Sequence, residues 1–273
     1  MLFIIALALT SLMLFALRGG FSPLPAQAPR HAARGQGIDH AMAHRLPHLP
    51  SVILAAAATL LTATVFGAGI GLSMLIAMAL HELGHIAGAR VADLMLTRAD
   101  RLHPPGIAPA QRRSDTRAFF VTFCGPALGL APMLVAYGAA ELMWQVQPDT
   151  AAALWTFAGV TAAFNAFFLL PFYPLDGGRC VALMARAIAP ELSRVAALAL
   201  SALLGSLALW QGSTGLAVLA AFGVFGAVLQ GPPARCDTAP MRLGTVALAQ
   251  VAYLAALLCY LSGGAWLILD LLG

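Results

Sequence analysis

Charge is what this chain has least of. Only 10% of its 273 residues are charged while 60% are hydrophobic, whereas a soluble domain carries about 25% charged residues. Without that polar surface the chain cannot cover itself in water, and the solvent it is built for is a lipid bilayer. The same figures exclude other classes, since disorder needs polar sequence, a triple helix a glycine period, and a disulfide scaffold dense cysteine. Clustered basic residues are missing as well, so nucleic acid is not an expected partner. Lysine is absent altogether: every basic residue is Arg. Cysteine is sparse. Cys124, Cys180, Cys236 and Cys259 lie far apart, form no CxxC pair, and read as unpaired structural residues.

Long apolar runs are abundant instead. A transmembrane helix needs about 20 mostly apolar residues, and the runs over 1–17, 119–140 and 151–170 each suffice for one. The stretch 51–91 is twice that length and is interrupted by Phe66-Gly67-Ala68-Gly69-Ile70-Gly71, which predicts two antiparallel helices. Residues 195–230 read as a hairpin turning at Gln211-Gly212-Ser213-Thr214, and 244–269 form the last span. The expected fold is all-α: a polytopic transmembrane helical bundle of about six to eight spans. Its parts are an N-terminal span at 1–17, a cytoplasmic linker at 18–50, a catalytic transmembrane core at 51–190, and C-terminal transmembrane helices at 191–273.

Arginine placement tests the span assignment, because basic residues of short loops concentrate on the cytoplasmic side. With the N-terminus outside, all 15 arginines fall in inner loops, while the outer connections hold Glu141, Asp149 and Asp270. The first run is read as a span although Ala26-Gln27-Ala28 offers a signal-like cleavage site, because no basic residue precedes it. The linker is rich in Pro, Gly, Ala and Arg. Its His40, His44 and His48 would share a helical face, but Pro47 and Pro50 oppose a continuous helix, and solvated histidines are the expected reading.

Chemistry enters in the third span, where His81-Glu82-Leu83-Gly84-His85 spells HExxH. Residues four apart lie one helical turn apart on one face, so both imidazoles can reach a single Zn²⁺. Glu82 lies beside that face, where a carboxylate can take a proton from zinc-activated water. An acidic residue inside a membrane helix costs about 2.5–3.5 kcal/mol on insertion scales, which argues for function over chance. A catalytic zinc takes three protein ligands, and Asp176 is the candidate for the third. It follows the fifth span in Pro171-Phe172-Tyr173-Pro174-Leu175-Asp176-Gly177-Gly178. The prolines end the helix, and Gly177-Gly178 is expected to let the backbone turn back sharply. Irregular backbone at membrane depth is tolerated only where it is buried or lines a cavity. Both half-sites fall at one depth, since His85 lies shortly before Arg90 and Asp176 just past a span that also ends inside. Asn165 is left open between an oxyanion donor and a helix-packing amide.

Together these segments resemble the site-2 protease family of intramembrane zinc metalloproteases, over roughly residues 71–180. The resemblance rests on HExxH in one span and Pro-x-x-Pro-Leu-Asp-Gly-Gly in another, with Gly125-Pro126 between them. It implies one Zn²⁺ per chain held by His81, His85 and Asp176, with Glu82 as catalytic acid/base. It also implies a transmembrane protein as substrate, cleaved within or near the bilayer in regulated intramembrane proteolysis. The expected location is multi-pass in the cell membrane, of bacterial inner-membrane type, with the active site near the cytoplasmic side. One departure is plain: the family's Asn, three residues before the first Pro, is here Phe168. A PDZ or nucleotide-binding module is not expected, because the 141–149 connection and the tail after Leu269 are short. Two rivals use the same residues: a metal transporter or sensor, and a non-cleaving membrane chaperone.

Overall fold

The structure is a computed structural model that describes residues 49–102, 114–229 and 239–272. The predicted span at 1–17 and the cluster of His40, His44 and His48 lie outside the described residues, as does Cys236. Among the described residues eight helices follow in order: α1 (Leu49–Phe66), α2 (Ala68–Leu102), α3 (Asp115–Met143), α4 (Pro148–Phe168), α5 (Asp176–Ala185), α6 (Leu192–Gln211), α7 (Thr214–Leu229) and α8 (Leu243–Leu272). There is no strand among the described residues, only an isolated bridge between Ser114 and Ala239. The chain is all-helical, as expected. Five helical segments are long and apolar enough to cross a membrane: Ala68–Met95, Asp115–Met143, Pro148–Phe168, Leu192–Gln211 and Leu243–Leu269. Ala56–Phe66 and Thr214–Leu229 are shorter apolar helices.

The predicted breaks fall where glycine permits them. Gly67, at φ +96°, separates α1 from α2, and Gly212, at φ +71°, ends α6. Both are left-handed conformations that cost glycine little. Helix α1 starts at Leu49, with Pro50 in its first turn where no N–H is needed, two residues earlier than the expected start of the core at Ser51. Ser114 caps α3, its hydroxyl accepting from the Arg117 N–H at 3.2 Å.

Residue size, more than polarity, marks the packed faces, because lipid-facing and protein-facing positions are both apolar. Val246, Ala249, Tyr253, Ala256 and Tyr260 of α8 recur every three or four residues and are buried against α3 and α4. Two of the tyrosines also donate hydroxyl bonds, Tyr260 to the Pro126 carbonyl and Tyr253 to the Leu169 carbonyl just past α4. Helix α4 lies among α2, α3 and α8. The α6–α7 hairpin packs on the 168–175 segment through Phe172, Leu175, Ala197 and Ala227.

Helices α2 and α3 approach most closely at Gly84, where an added Cβ would fall 2.2 Å from the Cys124 carbonyl oxygen. Toward one end of this pair, Asp93 of α2 binds Arg117 of α3 at 2.6 Å, and buried Asp115 of α3 binds Arg186 beyond α5 at 3.0 Å. A methyl group at Gly84 meets backbone that cannot swing aside, so Gly84→Ala is expected to lower stability by about 1–3 kcal/mol. Gly138→Ala meets open space, so it should be neutral or stabilising by up to about 1 kcal/mol. Unfolding titrations in detergent micelles compare the two directly.

Candidate metal centre

The i, i+4 spacing on α2 stacks the imidazoles of His81 and His85, ring centroids 4.8 Å apart and nearly perpendicular at 79°. Asp176 is brought to them from 95 residues away in the chain, as the first residue of α5. That helix was not expected. Gly177 and Gly178, read from sequence as a sharp turn, lie in its first turn instead. Their role is close approach: a Cβ at Gly177 would fall 2.2 Å from the Leu169 carbonyl oxygen, and one at Gly178 2.4 Å from the Phe172 carbonyl carbon. Any side chain there would push α5 off the end of α4 and move Asp176 with it. A helix N-terminus also favours the negative charge placed on it.

Three ligand atoms converge. The Asp176 Oδ2 atom is 2.8 Å from His81 Nε2 and 3.1 Å from His85 Nε2, and the two Nε2 atoms are 3.2 Å apart. Among the described residues these three side chains are the group able to hold a metal ion. The other ring nitrogens decide what they present. His85 Nδ1 is 3.0 Å from the Val121 carbonyl oxygen, which can only accept, so Nδ1–H is the donor. His81 Nδ1 is 2.9 Å from Asn165 Oδ1. The Asn165 amide is oriented by its own helix, since Nδ2 donates to the Thr161 carbonyl at 2.9 Å, which leaves Oδ1 to accept from His81. With both Nδ1 atoms protonated, both neutral imidazoles turn a bare Nε2 lone pair toward the carboxylate.

Three lone pairs facing one another at 2.8–3.2 Å repel unless a cation lies among them. Ligands at about 2.0–2.1 Å from a tetrahedral Zn²⁺ stand about 3.3 Å from one another. The donor set and its spacing fit that ion. Asp176 supplies the carboxylate donor of the set, an oxygen ligand that suits zinc as the imidazoles do. Cys180, one turn along α5, is pushed up by burial and stays a thiol outside the group.

Accessibility is one-sided. The side chains of His81 and Asp176 are 2% and 9% exposed, while that of His85 is 24% exposed. Glu82 is exposed beside His81 on α2 and stands outside the three-ligand group. Phe164 and Phe168 flank His81, with ring centroids at 5.5 and 4.8 Å. Of the two readings left open for Asn165, the structure fits the helix-packing amide: it is fully buried, and its oxygen accepts from His81 across α2 and α4. Sequence reasoning missed that bond and the Val121 carbonyl. The Thr161-x-x-x-Asn165 spacing on α4 was the available signal for the first, and a backbone carbonyl leaves none.

No family model matches the chain, and no solved structure matches it. Among curated proteins, two from Mycobacterium tuberculosis, of strains Erdman and H37Rv, are similar to it, and both carry the name "Putative zinc metalloprotease Rip3". Each is 30% identical over 122 residues, which is 43% of this chain and 31% of the relative. The matched part thus spans under a third of the relatives' own length. Over that part, the chain is similar to proteins named as zinc metalloproteases, and it carries a His-His-Asp group able to bind metal.

Removing a ligand atom should cost more than the roughly 10–100-fold in metal affinity that loss of an outer hydrogen-bond partner costs. His81→Ala and Asp176→Ala are each expected to exceed that loss while helicity is retained. Competition against a chromophoric chelator, with metal content by mass spectrometry, measures it.

Proposed function

We propose that the chain is an intramembrane zinc endopeptidase, in which His81, His85 and Asp176 hold the metal and Glu82 is the general acid/base. The observation that carries this reading is the convergence of two imidazole lone pairs and a carboxylate oxygen within 2.8–3.2 Å, inside a bundle of membrane-length apolar helices. The likeness to proteins named zinc metalloproteases supports it.

A zinc ion held there supplies Lewis acidity, polarising a carbonyl and making water acidic enough to lose a proton near neutral pH. The chain's own residues do the rest. Glu82, exposed next to His81, accepts the proton from the attacking water and hands it to the leaving amine. The buried Asn165 and Val121 acceptors hold the imidazoles so that the ligand set does not rearrange between turnovers. Phe164 and Phe168 keep the His81 side dry, which strengthens the charge interactions within the site. Substrates come from the bilayer: transmembrane proteins whose helix must unwind locally, since a helix hides its carbonyls in hydrogen bonds. Arginine placement supports a site near the cytoplasmic side, and the membrane proposed is of bacterial inner-membrane type.

The test is cleavage of a panel of single-span membrane proteins by purified protein in lipid, with Glu82→Gln and chelator-treated samples alongside. Products should come only from zinc-loaded wild type. Glu82→Gln should retain its zinc and lose about 10²–10⁴-fold in rate. Zinc moving across the vesicle wall with no substrate cut would favour the transporter over the protease.

A further inference from the structure

Asn165 is the one amide at the metal centre, and its surroundings assign it a task. It is 0% exposed on α4, and a buried amide in an apolar bundle is costly unless its polar atoms are bonded. Its Nδ2 donates back to Thr161, and its Oδ1 accepts from His81 Nδ1, both at 2.9 Å. Neighbouring helix α3 leaves room for it. A Cβ at Gly129 would fall 2.7 Å from Asn165 Nδ2 and 2.9 Å from the Tyr260 hydroxyl, and that hydroxyl is itself bound to the Pro126 carbonyl. The amide thus lies against α3 at Gly129, with the Tyr260 hydroxyl of α8 close to the same point. The position three residues before Pro171, where the resembled family has its Asn, holds Phe168, whose ring lies 4.8 Å from that of His81.

Resting on the metal-centre reading above, we propose that Asn165 is a positioning residue for His81 and forms no hydrogen bond with substrate. By accepting from Nδ1–H, it holds the imidazole in the tautomer whose Nε2 lone pair faces Asp176, and so sets the affinity of the centre for zinc. An oxygen acceptor at this point is what the task needs, and a carboxylate would serve it at least as well.

Zinc affinity by chelator competition tests this, together with the visible absorption of the cobalt-substituted protein, which reports ligand geometry independently of turnover. Asn165→Leu is expected to weaken zinc binding about 10–100-fold and to change the cobalt spectrum. Asn165→Asp is expected to bind zinc as tightly as wild type or more tightly, with an unchanged cobalt spectrum. Gly129→Ala, which crowds the amide without removing it, should weaken zinc binding to an intermediate degree, and it serves in place of Asn165→Leu where that variant does not fold. Equal zinc affinity in wild type, Asn165→Leu and Gly129→Ala overturns the positioning role and leaves the metal centre standing. A loss in Asn165→Asp as large as in Asn165→Leu overturns it too. Failure of wild type itself to bind one zinc per chain sinks the metal-centre reading, whatever the variants do.

Discussion

The segment between α4 and α5 is the constraint around which the rest is arranged. It carries Asp176 to the histidines, and it is non-helical among helices long and apolar enough to cross a membrane. Two of its residues, Pro171 and Pro174, have no N–H to satisfy. Phe172 and Leu175 bond locally, Phe172 to the Leu170 carbonyl at 2.7 Å and Leu175 to the Phe172 carbonyl at 2.9 Å. Tyr253, reaching over from α8, serves the Leu169 carbonyl. The α6–α7 hairpin covers the outer side, with Phe172 at the centre of that small core. Backbone that would be intolerable against lipid is thereby sealed in protein, and the carboxylate it delivers arrives at the mouth of a helix.

The same economy governs the candidate metal centre. Burial makes bare charges expensive, and the site contains one formal negative charge with two neutral imidazoles. Each imidazole is held by an oxygen acceptor on a different helix, Val121 on α3 and Asn165 on α4. Alignment of the site is thus tied to the packing of α2 against both. That packing is close because Gly84 and Gly125 carry no side chain: a Cβ at Gly125 would lie 2.4 Å from the His85 ring. The helices meet at backbone distance, and His85 is held against α3 as a consequence.

Much of this was legible in the sequence. The apolar runs predicted the helices within a few residues at most ends, with α2 running on to Leu102 as the main exception. Glycine and proline marked the breaks at Gly67, Gly212 and Pro171, because glycine permits a left-handed break and proline cannot continue a helix. HExxH and the Pro-x-x-Pro-Leu-Asp segment pointed at the side chains that the structure brings together. Helix α5 was not legible, since Gly177 and Gly178 are poor helix formers and only close packing against α4 explains them there. The role of Asn165 was equally hidden, because its partner lies 84 residues away.

What the sequence determined alone was the apolar character and length of the helices, the places where they stop, and the kinds of atom available for chemistry. Each of these is local, following from composition, backbone geometry and side-chain type. Only the tertiary structure decided which nitrogen of each histidine faces the carboxylate, which glycines are contacts instead of turns, and which way the Asn165 amide points. A helix whose every face is apolar carries no stripe to say which side meets protein, so these choices belong to packing between segments far apart in the chain.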